Sequence, residues 1–278
     1  MGGLALDLSQ PIAGYALIAP LGKGAMGEVF RAAKPGNEPV ALKVMAPSLG
    51  EIPELVERFR REAMAAARVD HPNITRVVEF GEDGGRLFMA MELLDGHDLG
   101  KLILSGGTGD VASRIRVITQ AALGMAAVHA HGLVHRDLKP ANLHVMSDGV
   151  VKIMDFGLVR LEDSEMTATG MVMGSPSYMS PELIKGHKAD ARADVFSLGA
   201  VCYEVLAGKR AFAGKGLTQV MMSVLSSEPQ PLAEVNPDVP QALQRVVTRC
   251  LRKDPDQRYQ GAGELAAALE VVRDVYAS

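Results

Sequence analysis

The segment HRDLKPANLHVMSDGVVKIMDFG, from His135 to Gly157, restricts what this chain can fold into more than any other part of it. An apolar hairpin pattern separates Asp137, Lys139 and Asn142 from Asp155, and a hairpin would bring its two ends side by side. The residue types then fit one chemistry. An acid at Asp137 can orient a hydroxyl nucleophile, Lys139 can offset charge on a migrating phosphoryl group, and Asn142 with Asp155 can offer oxygen ligands to magnesium. The segment predicts metal-assisted phosphoryl transfer.

Charge and composition narrow the partners. Lys+Arg 29 against Asp+Glu 33 leaves a net charge of −4, so there is no basic excess to hold a nucleic-acid backbone, and nucleic acid is not an expected partner. An apolar fraction of 47% with 22% charged residues is that of an ordinary globular chain, and 278 residues suffice for a substantial core. Cys202 and Cys250 lack metal-ligand spacing and sit in apolar helical patterns, which predicts buried thiols in a reducing, cytoplasmic setting. Residues 1–11, MGGLALDLSQP, read as an extension without the basic start of a secretory signal, and Leu6 stands where a myristoylation pattern needs Ser or Thr. No run of about 18 to 20 uninterrupted apolar residues occurs, so no membrane segment is expected.

Residues 12–94 read as a small antiparallel sheet with one inserted helix. Strands are predicted over Tyr15–Leu21, Glu28–Ala33, Val40–Val44, Ile74–Gly81 and Arg86–Met91, and a helix over Pro53–Val69. Gly22, Lys23, Gly24 and Gly27 lie between two strands, as an ordinary hairpin turn or as a flap whose backbone N–H groups approach phosphate; Leu21 and Val29 flank it, Val29 placed to cover a base. Lys43 in VALKV is surrounded by apolar neighbours and needs a partner if buried. Glu62 on the following helix is the candidate, the alternative being two solvated charges.

Glu92 to Gly96 reads as a hinge, with backbone groups at Glu92 and Leu94 available to the edge of an adenine and Met91 behind it. Asp98 either reaches ribose hydroxyls or serves as a helix N-terminal acid. Residues 95–278 are mainly helical, with helices predicted over Ala112–His131, Asp190–Leu206, Leu217–Ser226, Gln241–Lys253 and Gly263–Tyr276. The fold class is therefore α+β: a small β lobe and a larger helical lobe, with the opening segment at their junction, where ligands commonly bind.

GKGAMGEV, VALK, Glu62, HRDLKPAN, DFG and the SPE of Ser180 to Glu182 occur in the order and spacing of the protein-kinase signature set. Over about Ile12 to Tyr276 the chain resembles the bacterial eukaryotic-like Ser/Thr protein kinases. The resemblance implies a two-lobed kinase fold that binds ATP with Mg2+ or Mn2+ and phosphorylates protein Ser/Thr hydroxyls. It implies Asp137 as catalytic base, Lys139 beside it, Lys43 on the α- and β-phosphates held by Glu62, and Asn142 and Asp155 on the metal. Ala41 joins Leu21, Val29, Met91 and Leu94 around the adenine. His135 and Phe156 would pack in a spine, Ser175 would bridge Asp137 and Lys139, Asp194 would anchor the catalytic loop, and Glu182 would pair with Arg258.

Thr167 and Thr169, with Ser164 nearby, lie in the loop between Asp155 and Glu182. In similar bacterial kinases this pair is autophosphorylated, which implies activation by loop phosphorylation beside Arg136 and a homodimer for the transfer; otherwise they are polar loop residues. His144 departs from the family, standing where an aliphatic residue usually lies beneath adenine, and Ala66 shortens a position often filled by Leu. Two other classes compete: a pseudokinase or nucleotide-binding scaffold, which loss of Lys43, Asp137, Asn142 or Asp155 would favour although all four are present, and a small-molecule kinase, against which the segment through SPE and Arg258 stands.

Overall fold

The computed structural model describes residues 10–24, 27–46, 52–155 and 176–277, with the side chains of 54, 55, 58, 61, 62, 65 and 277 outside that description. The chain divides into two compact units, one of Met1–Asp70 with Thr75–Asp95 and one of His71–Ile74 with Gly96–Ser278.

The smaller unit is an antiparallel sheet of β1 (Ala16–Gly24), β2 (Gly27–Ala33), β3 (Val40–Met45), β4 (Val77–Asp83) and β5 (Arg86–Glu92), ordered β1-β2-β3-β5-β4, with helix α1 (Pro53–Ala66). Period-two alternation sorts its side chains. Phe30 and Ala32, Val40, Leu42 and Val44, and Phe88 and Ala90 form one buried cluster with Ile12 and Tyr15. Leu87 and Met89, one position out of phase, pack instead with Met45 and with Phe59 and Ala63 of α1.

Two strand boundaries differ from the expectation by three residues, the end of β1 and the start of β4. β1 and β2 run on into the glycine stretch, pairing Lys23 with Glu28 and Gly24 with Gly27, because glycine at these positions leaves the ladder intact and Lys23 Nζ meets Glu28 Oε1 at 2.8 Å across it. β4 begins at Val77 rather than Ile74, since Ile74 belongs to the larger unit, bridged to Ile153, whose N–H donates to the carbonyl of Asn73. The helix expected to Val69 ends at Ala66.

In the larger unit, β6 (Gly96–Asp98) leads into α2 (Leu99–Ser105) and α3 (Val111–Ala130), and β7 (Leu143–Met146) with β8 (Val151–Ile153) forms the expected hairpin. Then come α4 (Pro181–Ile184), α5 (Ala191–Ala207), α6 (Leu217–Ser226), α7 (Leu232–Val235), α8 (Gln241–Cys250) and α9 (Ala262–Ala277). α5 is buried almost all round, from Ala193 to Leu206, and forms the centre. By length and apolarity alone α3 would suit a membrane span. Its buried positions, Ile115, Ile118, Ala122, Met125 and Val128 among them, are part of the core, and α9 packs along it.

α8 stops at Cys250, three residues short of the expected end. The carbonyls of Arg252 and Lys253 are turned away from the helix to accept from the Arg258 guanidinium. Both thiols are buried, as expected; burial pushes Cys202 up to about 12 and Cys250 well above the ordinary thiol value, which leaves them unreactive.

Candidate active site

The loop between α3 and β7 carries Asp137, Lys139 and Asn142, and the larger unit alone determines its shape. Arg136 is left-handed, with φ 63, a costly conformation for a residue with a Cβ. What holds it is a carboxylate from the core. Asp194, in the first turn of α5 and 0% exposed, accepts from His135 N–H at 2.7 Å with Oδ2 and from Arg136 N–H at 2.8 Å with Oδ1. Two backbone donors are thus fixed at the residues just before Asp137.

A histidine completes this anchor. His129, in the last turn of α3, accepts from Ala262 N–H at Nδ1 (3.1 Å), so its Nε2 bears the proton and donates to Asp194 Oδ2 at 3.0 Å. His135 is fixed in the same way: Nδ1 accepts from Asp137 N–H at 3.3 Å and Nε2 donates to the Met154 carbonyl at 3.1 Å. The loop is thereby tied to the segment that ends in Asp155.

On this frame Lys139 Nζ lies 2.6 Å from Asp137 Oδ2. Asn142 Nδ2 donates to the Asp137 carbonyl at 2.9 Å and to Oδ2 at 3.3 Å. Oδ2 is therefore the oxygen engaged by both neighbours. The Asn142 carbonyl accepts from Met154 N–H at 2.9 Å, which places Asp155, exposed and left-handed at φ 46, next along the chain from that bond. The structure thus assembles the acid, the lysine and the amide in one cluster, with Asp155 following the strand that closes it.

Asp98 and His144 are cross-strand partners in the β6–β7 pairing. Asp98 Oδ1 caps α2 through Lys101 N–H at 2.9 Å, and Oδ2 pairs with Lys101 Nζ at 3.0 Å, the helix-terminal use of this acid. Burial raises its carboxyl, but the Lys101 N–H and ammonium and the neighbouring His144 outweigh it and hold it below the ordinary value. Gly96 is required here: a Cβ would lie 2.2 Å from the Val145 carbonyl oxygen.

In the smaller unit Lys43 is half-buried on β3, opposite Val29 on one side and Met89 on the other. Glu62 lies on α1, but its side chain is outside the described residues, as are Phe156, Ser164, Thr167, Thr169 and Ser175 altogether. Gly22 has open space around it, whereas a Cβ on Gly27 would lie 1.9 Å from the Val44 carbonyl oxygen. Ala41 pairs with Met91 between β3 and β5, and Leu21 is exposed at 51%. Glu92 uses its carboxylate on Arg76 N–H at 2.8 Å, and Leu94 lies in the irregular stretch that follows β5.

Beyond the loop, Arg258 is 0% exposed and bound to Glu182 in a two-pronged pair, Nη1–Oε1 2.8 Å and Nη2–Oε2 2.9 Å. This pair and the Asp194 anchor match the sequence expectation. His129 is not among the expected residues, nor is the brace made by Gln120, whose Oε1 accepts from Asn73 Nδ2 and from Val151 N–H, both at 3.0 Å. Their signal is the pair of polar residues in the otherwise apolar stretch from Gln120 to Ala130. Among the described residues no group of three or more His, Cys, Asp or Glu forms a metal cluster.

The family model described as the protein kinase domain matches residues 15–274. Serine/threonine-protein kinase PknA of Mycobacterium tuberculosis is 38% identical over 267 residues, 93% of this chain and 61% of PknA. Tyrosine-protein kinase MasK of Myxococcus xanthus is 35% identical over 282 residues, 95% of this chain and 44% of MasK. The chain thus spans about half to three fifths of these relatives. The crystal structure of the M. tuberculosis PknI kinase domain superposes with a TM-score of 0.76 at 30% identity, covering 96% of this chain and 98% of that one.

Proposed function

The chain belongs to the protein kinase domain family, and on that premise we propose that it transfers the γ-phosphoryl group of ATP to serine and threonine hydroxyls of proteins. The observation that carries this reading is the cluster at Asp137, with Lys139 Nζ at 2.6 Å and Asn142 Nδ2 at 3.3 Å from the same carboxylate oxygen. Asp137 orients the attacking hydroxyl and accepts its proton as the oxygen–phosphorus bond forms and ADP leaves. Lys139 stands where it offsets charge on the transferred group. Asp194, through two backbone bonds, keeps the carboxylate from drifting out of line with that hydroxyl.

The donor set fits a hard divalent cation. Asn142 spends its amide N–H groups on Asp137, leaving its carbonyl oxygen as a ligand, and Asp155 adds an exposed carboxylate. Two protein oxygens, with the remaining positions left to phosphate and water, suit Mg2+, with Mn2+ as substitute. When bound, the cation offsets triphosphate charge. In the smaller unit, Lys43, held by Glu62, serves the α- and β-phosphates, the Gly22–Gly27 strand ends approach them, and Leu21, Val29, Ala41, Met91 and Leu94 serve the base. In the larger unit His144 serves the nucleotide, while Asp98 is taken up by the α2 cap. Residues 12–94 and 95–278 are its two lobes, and residues 1–11 an extension.

Activation proceeds by phosphorylation of Thr167 and Thr169, transferred within a transient homodimer in the cytoplasm. Incubating the protein with Mg-ATP and mapping phosphosites tests this, with Asp137→Asn as control. Phosphate on Thr167, Thr169 and a basic protein substrate is expected from the parent alone. No incorporation at saturating nucleotide would refute the activity. Phosphotyrosine in place of phosphothreonine would move the specificity toward that named for MasK.

A further inference from the structure

We infer that the outer face of α8 is a docking site for an acidic peptide segment of a protein partner. Between Val239 and Lys253 the chain carries Arg245, Arg249, Arg252 and Lys253 and not one carboxylate, although its net charge is −4. The helix buries Leu243, Val246, Val247 and Cys250, so its opposite face is turned outward. Gln241, Gln244, Arg245, Thr248, Arg249 and Arg252 line a shallow concavity of about 490 Å³ there. Lys253 does not belong to it, its ammonium being directed over the Phe212 ring at 4.0 Å.

The three arginines have no carboxylate within ion-pair distance among the described residues. The acids that follow them are committed elsewhere. Asp254 accepts from Asp256 N–H, Asp256 pairs with Arg192, and Glu264 accepts from Gln260 N–H. Arg249 is set in place, stacked over the Tyr259 ring at 4.1 Å. Arg245 on the helix and Arg252, two residues past its end, are exposed on either side of it, and neither side chain has a hydrogen-bond or ion-pair partner among the described residues.

Spacing and charge together select the occupant. Arg245 and Arg249, four residues apart on a helix, are about 6 Å apart along its axis. Alternate side chains of an extended peptide repeat at roughly 6.6 Å on one face. A segment with acids at alternate positions therefore sets successive carboxylates against successive guanidiniums, each a charge-assisted pair. The face lies on α8, apart in sequence from every residue assigned to transfer. That its occupant includes substrates rests on the kinase reading; the binding itself does not.

Fluorescence anisotropy with a labelled peptide of alternating glutamate and glycine, in the absence of nucleotide, is the test. The parent should bind it, a glutamine counterpart should not bind, and Arg245→Gln/Arg252→Gln should weaken binding about tenfold or more. Salt should weaken the parent's binding as well. For a substrate bearing an acidic tail, the double variant should raise KM by a similar factor and leave kcat, and activity on an untailed substrate, unchanged. Equal peptide binding by parent and double variant would overturn the inference. So would displacement by inorganic phosphate at the peptide's own concentration, which would mark a small-anion site. Self-association of the parent that the double variant abolishes, without peptide binding, would make a second copy the occupant and refute the partner named here. Loss of all phosphoryl transfer with binding intact would count only against the kinase reading.

Discussion

The Glu182–Arg258 pair offers the sharpest energetic test. Five N–H donors of Arg258 meet five acceptors: Glu182 Oε1 and Oε2, and the carbonyls of Arg192, Arg252 and Lys253, at distances from 2.7 to 3.0 Å. The guanidinium also lies 4.9 Å from the Phe196 ring. With no exposure of its own, it has Glu182 as its one ion-pair partner among the described residues. Removing one member of such a pair costs about 3 to 5 kcal/mol, because the other charge is left buried. Glu182→Gln, which keeps the shape and one acceptor, should fall near 3 kcal/mol. Arg258→Met should cost more, since it strands the carboxylate and three backbone carbonyls together.

The double variant should cost less than the sum of the two by about 2 kcal/mol, since neither charge is then left alone. Urea unfolding followed by circular dichroism measures the cycle, and at roughly 2–4 °C per kcal/mol the Glu182→Gln melting point should drop about 6–12 °C. Acid should expose the same interaction. Burial raises the Glu182 carboxyl, but hydrogen bonding and charge from Arg258 outweigh it, so the folded value lies below the unfolded 4.5. The pair's contribution is therefore complete above the unfolded value and is lost as pH falls through the folded one. Glu182→Gln should lack that acid-side loss. A coupling energy below about 0.5 kcal/mol, or an unchanged acid limb in Glu182→Gln, would refute the reasoning.

Two further outcomes follow from single positions. Gly27→Ala should cost at least about 2 kcal/mol and raise KM for ATP, since its Cβ would sit 1.9 Å from the Val44 carbonyl oxygen, whereas Gly22→Ala, with nothing within 4 Å, should cost little; denaturation midpoints and ATP titration of both variants compare them, and similar losses would contradict the steric account. Lys253 Nζ has no hydrogen-bond partner among the described residues, and burial draws it from 10.5 to about 8. The unfolded chain then binds the proton more tightly between those values, so stability should rise with pH from about 8 to 10.5, by a margin that solvent screening and the Phe212 face both reduce. Lys253→Met should flatten that rise in pH-dependent melting; an unaltered slope would assign it to another group.

Much of this protein is local in its determinants. The period-two pattern of β2, β3 and β5 and the helical pattern of α3, α5 and α9 identify elements, because each must turn one set of apolar side chains away from water. The order of HRDLKPAN, DFG and SPE is equally written in the chain. Element ends are less legible, since they depend on distant partners. β4 starts late because Asn73 and Ile74 bond to the β8 strand, and α8 stops early because Arg258 claims the carbonyls of Arg252 and Lys253. Asn73 and Ile153 stand far apart in sequence, and Arg258, although close to the carbonyls it claims, is held there by Glu182 from the other side of α5 in the chain.

The same division runs through the site. The sequence alone determined which groups gather around Asp137, since Lys139 and Asn142 lie within five residues of it and a short loop can hardly keep them apart. Only the tertiary structure decided how that cluster is held. Asp194, 57 residues after Asp137, fixes the backbone before it, and His129 and the first residue of α9 fix Asp194 in turn. It also decided that Asp98 caps a helix and that the arginines on and just after α8 face outward with no ion-paired acid among the described residues. Composition counts charges, but packing determines which of them find a partner inside the fold.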